Sequence, residues 1–211
     1  MGLSFTTGWA ILDTETTHFE PGVGEIIEIA ILREDGGIFT TRIKPQHIET
    51  AHPKALEVNG YNEADWEDAP EPLEAAHMIT PMLLKQVIVG QNISFDMDHL
   101  KMFYHRLGLD DTFKEFDHRH IDTMTLAYEH LVPHGLTSLA LYQACKFLRI
   151  DNEGAHGALR DVERTREVFL RLCRPNLWDR HVGFRYCGMR YRLNRWRKEA
   201  TKWLQQGGGA K

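Results

Sequence analysis

The chain has 211 residues, of which 42% are hydrophobic and 26% charged, a composition typical of a soluble globular protein. No apolar run reaches the ~20 residues of a transmembrane helix, and the N-terminus lacks the basic and apolar segments of a secretory signal. Three widely spaced cysteines fit neither a disulfide framework nor a zinc knuckle. We therefore expect one sizeable domain with a small appendage, in a reducing, cytoplasmic compartment and without a membrane partner.

Charge is distributed unevenly along the chain. Residues 1–173 contain 15 lysines and arginines against 28 acidic residues, whereas residues 174–211 contain 10 against 2. A basic tail on an acidic body indicates that one end meets an anionic partner such as a nucleic acid. The same tail could instead pack against the acidic body of its own chain, and the sequence leaves both interpretations open.

Taken in chain order, the apolar patterns predict a mixed α/β sheet with helices on its faces. Strands are predicted at residues 8–13, 25–32, 38–44, 87–89 and 120–123, the first three being antiparallel. Helices are predicted at residues 53–58, 70–85, 94–107, 123–131, 136–147, 157–172 and 188–204. Within these, Pro81 should kink or split its helix, and Ser94 should be an N-cap.

Asp13 and Glu15 follow the first apolar strand directly. Because side chains alternate between the two faces of a strand, both carboxylates should point the same way. Two adjacent carboxylates repel each other unless a cation neutralises them, and Mg²⁺ prefers carboxylate oxygen. The alternative is a strand end with two solvated acids, since Asp-x-Glu is common by chance.

Three residues further along the chain can complete such a site. Asp96 lies in the first turn of a predicted helix, directly after a buried strand, and Asp161 begins a long amphipathic helix. His156 lies in the loop before that helix and is suited to act as a general base at neutral pH. Taken singly, the two acids could be ordinary helix-start charges and the histidine a solvated loop residue.

Four carboxylates are more than one Mg²⁺ usually takes from a protein. They suit a site for two ions, which would clamp the attacking and leaving oxygens of a phosphodiester. The sequence therefore predicts a site for two divalent cations such as Mg²⁺, formed by Asp13, Glu15, Asp96 and Asp161.

The three motifs together resemble those of the DEDDh, or DnaQ-like, 3′→5′ exonucleases. They are Asp13-x-Glu15, Asn92-x-x-Phe95-Asp96 and His156-x-Ala158-x-x-Asp161. The runs LDTETT and HGALRD most resemble those of the proofreading exonuclease subunits of bacterial DNA polymerase III. The resemblance extends over residues 8–173 and implies a ribonuclease H-like fold.

The resemblance also implies roles for particular residues. Asp13, Glu15, Asp96 and Asp161 would hold two metal ions, and His156 would deprotonate the attacking water. The terminal nucleotide would be bound by residues Thr16, Thr17, Leu56, Asn59, Asn92 and Phe95. Leu56 would wedge against the terminal base, although a buried helix leucine is the simpler alternative. His18 departs from the glycine usual in proofreading members, which affects the shape of the terminal-nucleotide loop.

These features predict a metal-dependent 3′→5′ exonuclease that releases 5′-mononucleotides, mainly from single-stranded DNA. An exoribonuclease or oligoribonuclease of the same superfamily is the alternative, as is a non-catalytic accessory subunit of a polymerase. We expect an exonuclease domain at residues 1–173, a basic helical extension at 174–206 and a flexible tail at 207–211.

Overall fold

The computed structural model describes residues 8–152, 157–173 and 184–205. These form two compact units. The first comprises residues 8–123 and 157–166, and the second comprises residues 124–152, 167–173 and 184–205. Among the described residues, no helix is both long enough and apolar enough to cross a bilayer.

Five strands form one mixed sheet in the first unit. They are β1 (Trp9–Thr16), β2 (Ile26–Arg33), β3 (Ile38–Arg42), β4 (Val87–Gly90) and β5 (His120–Asp122). The sheet has the order β3-β2-β1-β4-β5, in which β1 pairs antiparallel with β2 and parallel with β4. The prediction of a mixed sheet that begins with three antiparallel strands is therefore confirmed.

The described chain contains the predicted helices in the predicted order, together with short helices at Glu63–Trp66 and Asp110–Lys114 that were not predicted. They are α1 (Pro53–Asn59), α2 (Glu63–Trp66), α3 (Pro72–Leu83), α4 (Ile93–Arg106), α5 (Asp110–Lys114), α6 (Thr123–Leu131), α7 (Leu141–Leu148), α8 (Ala158–Cys173) and α9 (Phe184–Gln205). Short 3₁₀ turns occur at Ile48–Thr50 and Val132–His134. The predicted helical extension is confirmed in α9, which begins four residues earlier than expected.

The core of the first unit lies between the sheet and helices α3 and α4. Ile29 and Ile31 of β2 are fully buried there, together with Ile79 of α3 and Leu100 of α4. Trp66 is buried in this unit, and its indole Nε1 donates a hydrogen bond of 2.7 Å to the carbonyl of Ile27. This packing holds β1 at the centre of the sheet, with a strand on each side.

A second hydrophobic core belongs to the second unit. It contains Leu131, Phe147 and Leu172, together with Phe184 and Cys187 from α9. The basic helix α9 thus contributes apolar side chains to a core of its own unit. The side chains of Trp196 and Trp203 in α9 lie outside the described residues.

Several local predictions were wrong. Residue Asn92, not Ser94, precedes the first residue of α4, and it has a left-handed backbone conformation with φ 58°. The predicted helix at residues 136–147 begins only at Leu141. Helix α3 contains Pro81 and is not split there.

Candidate active site

Asp13 and Glu15 lie on the same face of β1, as predicted. Both are partly exposed, whereas the alternating residues Thr14 and Thr16 are buried. The strand continues through Thr16, so both acids lie within a paired part of the sheet. The sheet backbone therefore fixes their separation, and a shift of register by one residue would turn both to the other face.

Asp96 reaches this site from the first turn of α4. Its Oδ1 accepts hydrogen bonds from the backbone N–H and the hydroxyl of Thr14, at 3.0 and 2.8 Å. Asp122 at the end of β5 accepts the backbone N–H of Asn92 at 2.9 Å, which anchors the turn before α4. The parallel pairing of β1 with β4 brings α4 to the carboxyl half of β1.

Asp161 lies in the first turn of α8 and belongs to the same unit. Its Oδ1 accepts a hydrogen bond of 2.9 Å from Nη1 of Arg164, whose side chain is 8% exposed. Sequence reasoning missed Arg164, although its position three residues after Asp161 on a helix was a usable signal. This buried pair restricts the orientation of the Asp161 carboxylate.

The four predicted ligands share one electrostatic environment. Burial, followed by the charges of Glu28, Asp161 and Asp96, raises the pKa of Glu15 to about 7. Burial and the neighbouring charges, first that of Asp96 and then that of Glu15, raise the pKa of Asp13 well above its usual range. The structure thus places these carboxylates close enough for each to disfavour ionisation of another.

The pKa of Asp96 is also raised, although hydrogen bonds to its carboxylate oppose the shift. Burial raises its pKa to about 7, although the two hydrogen bonds from Thr14 act in the lowering direction. A buried carboxylate that keeps hydrogen-bond donors yet remains hard to ionise is one that a cation would stabilise strongly. The electrostatics of the site therefore favour an added positive charge.

The donor set fits a hard divalent cation, because all four predicted ligands offer carboxylate oxygen. Within the ranges described here, however, no three His, Cys, Asp or Glu side chains are arranged to hold one ion. Thr14 engages one oxygen of Asp96, and Arg164 engages one of Asp161. A carboxylate has two oxygens, so a hydrogen bond to Oδ1 does not exclude coordination of a cation by the same side chain.

Glu28 is a fifth carboxylate at this site, and sequence reasoning missed it. It pairs directly with Glu15 across β1 and β2, and it is the largest charge acting on the Glu15 carboxylate. A usable signal was present, because Glu28 is the one acid within the otherwise apolar run IIEIAIL. An acid at the centre of a buried strand needs a partner or a function.

The predicted substrate residues near the end of β1 are held by hydrogen bonds. Asn59 of α1 donates from Nδ2 to the carbonyl of Thr16 at 2.8 Å, which ties α1 to the strand. Thr17 is fully buried, and its hydroxyl accepts the backbone N–H of Glu25 at 2.9 Å. Leu56, on the same helix as Asn59, is partly exposed and not a core residue.

Aromatic rings surround the residue that departs from the family pattern. The rings of His18, Phe19 and His52 contact one another, with His18 and His52 centroids 5.5 Å apart and Phe19 53% exposed. Buried His99 connects this loop to α4, because its Nε2 lies 3.0 Å from the carbonyl oxygen of His18. The ring of His99 also lies 4.3 Å from that of Phe95.

Of the three remaining predicted site residues, the structure describes Asn92 and Phe95 but not His156. Asn92 and Phe95 lie at the start of α4, as the motif required, and the Asn92 side chain is exposed. His156, the predicted general base, lies outside the described residues. The first described residue after it, Gly157, directly precedes α8.

Comparison with known proteins agrees with this arrangement. The sequence model of the exonuclease family matches residues 10–169, which include both β1 and most of α8. The chain belongs to the exonuclease family. The match contains all four clustered carboxylates, so the resemblance inferred from the three motifs is confirmed at the level of the family.

Curated relatives include a DNA polymerase III of PolC type and a ribonuclease T. A DNA polymerase III of PolC type from Thermotoga maritima is 32% identical over 168 residues, which cover 77% of this chain and 12% of that protein. A ribonuclease T from Shewanella denitrificans is 30% identical over 202 residues, covering 82% of this chain and 83% of the relative. The chain thus spans a small part of the PolC-type relatives and most of the ribonuclease T.

Solved structures support the fold. Escherichia coli exonuclease I in complex with a dT13 oligonucleotide has a TM-score of 0.68 and 21% identity, covering 83% of this chain and 43% of that one. This similarity shows the ribonuclease H-like exonuclease fold, as the sequence predicted.

Proposed function

We propose that this protein is a metal-dependent 3′→5′ exonuclease that hydrolyses the terminal phosphodiester of single-stranded DNA and releases 5′-mononucleotides. The observation that carries the proposal is the cluster of Asp13, Glu15, Asp96 and Asp161, whose first three members are hard to ionise together. A protein has little reason to bury such a cluster at a sheet centre unless a cation uses it. Membership of the exonuclease family supports the same conclusion.

The chain's own groups would divide the work. Asp13 and Glu15 would hold cations from the rigid sheet, while Asp96 and Asp161 would do so from two helix starts. Two Mg²⁺ or Mn²⁺ ions bound there would stabilise charge on the attacking and leaving oxygens of the phosphodiester. His156 would take the proton of the attacking water, since imidazole is the side chain best matched to that task at neutral pH.

The loop after β1 would receive the terminal nucleotide. Thr16 and Thr17 lead into it, and Asn59 fixes it to α1 through the carbonyl of Thr16. The exposed ring of Phe19 lies in this loop and offers an apolar face to a base, a contact worth ~1–3 kcal/mol. Leu56, Asn92 and Phe95 would complete the pocket. Free 3′ ends are unstacked more readily in single strands, which favours that substrate.

A second candidate is an exoribonuclease, and a specific observation favours it. The ribonuclease T relative is matched over 83% of its own length, whereas the PolC-type relative is matched over 12%. The ribonuclease T relative is 30% identical to this chain, so its name makes RNA the second candidate substrate. The same carboxylates would serve either sugar, because the cations act on the phosphate.

One experiment tests both candidates. DNA and RNA oligonucleotides of one sequence, labelled at the 5′ end, are incubated with Mg²⁺ or with chelator, and product lengths are followed over time. A ladder that shortens from the 3′ end only with Mg²⁺ is expected, and the faster ladder identifies the substrate. Cleavage in chelator, or shortening from the 5′ end, would refute the proposal.

A matched pair of variants controls for unfolding. Asp96→Asn removes a buried member of the carboxylate cluster, whereas Asp98→Asn makes the same change on the exposed face of the same helix, two residues away. Asp96→Asn should abolish the ladder, and Asp98→Asn should leave it intact. Equal loss in both variants would show that the effect does not come from the cluster.

A further inference from the structure

A basic pocket lies in the second unit, between α7 and α9. Its volume is about 230 Å³, and it is lined by the cationic side chains of Lys146, Arg149, Arg195 and Lys198. No acidic side chain lines it within the described part of the chain. Two walls of positive charge therefore face one shared space, with Lys146 and Arg149 on one side and Arg195 and Lys198 on the other.

The floor of the pocket consists of packed and hydrogen-bonded side chains. Phe147 and Cys187 are buried there, and the rings of Phe147 and Tyr191 lie 5.3 Å apart. The Tyr191 hydroxyl donates a hydrogen bond of 2.8 Å to Oε1 of Gln143. The NH₂ group of Gln143 remains as a hydrogen-bond donor.

Arg149 occupies an unusual backbone position. It follows the last residue of α7 in the left-handed conformation, with φ 63° and ψ 37°, where glycine or asparagine is the usual residue. A long side chain pays a steric penalty in that conformation. A binding role for the Arg149 guanidinium at the rim of the pocket would explain why an arginine occupies this conformation.

The helix dipole favours only two of the four cations that line the pocket. Lys146 and Arg149 lie at the C-terminus of α7, where cations are favoured by the helix dipole. Arg195 and Lys198 lie in the interior of α9 and gain nothing from a helix end. Arg195 is 3.4 Å from Glu199, but no ion pair of Lys146 or Lys198 occurs within the described residues. An anion in the pocket would relieve the remaining repulsion.

The distribution of charge between the units indicates the kind of anion. In sequence, residues 1–123 and 154–166 carry 12 lysines and arginines against 24 acids, a net charge of −12. The rest of the chain carries 13 against 6, a net charge of +7. The unit with the carboxylate cluster would therefore repel a nucleic-acid strand, and the other unit has the charge to retain it.

We propose that this pocket binds an internal phosphodiester of the substrate strand, as a second contact outside the carboxylate cluster. The inference rests on the proposed exonuclease function. Arginine forks and lysine ammonium groups are the usual partners of phosphate oxygens, and four such cations line this pocket. The pocket reads no base, so it would add affinity for any sequence.

Binding is measured by fluorescence anisotropy with a 5′-fluorescein oligothymidylate in chelator, over a range of salt concentrations. Lys198→Glu changes a pocket residue, and Lys202→Glu makes the same charge reversal one turn along α9, outside the pocket. Lys198→Glu should weaken binding about tenfold, as expected for one lost charge-assisted contact. It should also reduce the slope of log affinity against log salt by ~0.7. Lys146→Glu, on the opposite wall, should do the same.

Equal weakening of oligonucleotide binding by Lys202→Glu and Lys198→Glu would refute binding in the pocket. It would indicate that the oligonucleotide is attracted to α9 in general. Unchanged binding in both Lys198→Glu and Lys146→Glu, with unchanged melting temperatures, would also refute binding in the pocket. Thymidine 5′-monophosphate is used as a competitor. Displacement of the oligonucleotide at equal concentration would show a site for free mononucleotides, contrary to the proposed internal phosphodiester.

A substrate with a single phosphate separates this inference from the proposed function. The p-nitrophenyl ester of thymidine 5′-monophosphate can occupy only one phosphate site at a time. Its Mg²⁺-dependent hydrolysis should be unchanged in Lys198→Glu, while degradation of the oligonucleotide at low concentration slows. If the unaltered protein hydrolyses neither substrate, the proposed function fails, and the anisotropy data still decide whether the pocket binds phosphate.

Discussion

Stability of the protein in chelator should fall as the pH rises from 5 to 8, and Glu15 should contribute to the fall together with Asp13 and Asp96. The folded state raises the pKa of Glu15 from 4.5 to about 7. A carboxyl with a raised pKa stabilises the fold while it is protonated, below its unfolded pKa. That contribution is lost as the pH rises through its folded pKa. Between pH 5 and pH 8 the loss is about 2.5 kcal/mol.

The measurement is urea unfolding in chelator at several pH values, with the protein and its Glu15→Gln variant compared. The comparison is needed because His99 and His120 have lowered pKa values and oppose the trend below about pH 6.5. Glutamine mimics the protonated acid, so the variant should become the more stable protein as the pH rises, by about 2.5 kcal/mol at pH 8 relative to pH 5.

Mg²⁺ should remove most of this difference, since a cation lets Glu15 ionise within the fold. The reasoning is refuted if the two proteins keep a constant stability difference from pH 5 to pH 8 in chelator. It is equally refuted if Mg²⁺ at pH 8 leaves the unaltered protein no more stable than chelator does.

Three further results are expected. Glu28→Gln removes the largest charge acting on Glu15 and should raise the free energy of unfolding by about 1 kcal/mol in chelator at pH 8, measured with urea. His156→Ala should slow mononucleotide release at pH 7 by ~10²–10⁴ while circular dichroism stays unchanged, and full activity would exclude it as the base. Trp66→Phe deletes the hydrogen bond to Ile27 and should cost about 1 kcal/mol, seen as a lower melting temperature with activity retained.

The sequence was sufficient for the order of elements and the clustering of carboxylates. Alternation on a strand correctly placed Asp13 and Glu15 on one face, and the buried strand before Asn92 correctly predicted a strand-to-helix junction at Asp96. Both inferences use short-range geometry that the backbone enforces wherever the segment lies. The predicted stripe of α8 is likewise buried from Ala158 to Leu172.

The sequence was insufficient where contacts between distant segments determine the local structure. The polar residues at the end of β1 resemble a loop, yet pairing with β2 extends the strand through Thr16. Ser94 has the better intrinsic preference for an N-cap, but the junction after β4 needs a left-handed residue, which Asn92 tolerates. Glu28 joins the site only through its register with Glu15, and register across two strands is not encoded locally.

Strand order also sets the sequence of events during folding. Strands β1, β2 and β3 are consecutive in the chain and can pair through short connections, whereas β4 must return to the far side of β1 from beyond α3. Contacts between distant segments form more slowly, because closure of a long loop costs entropy first. Asp13 and Glu15 on β1 would therefore be joined by Glu28 on β2 in an early meander, and Asp96 would reach them only after β4 docks. Tight binding of a divalent cation should accordingly be a late event in folding, useful as a kinetic marker of a completed sheet.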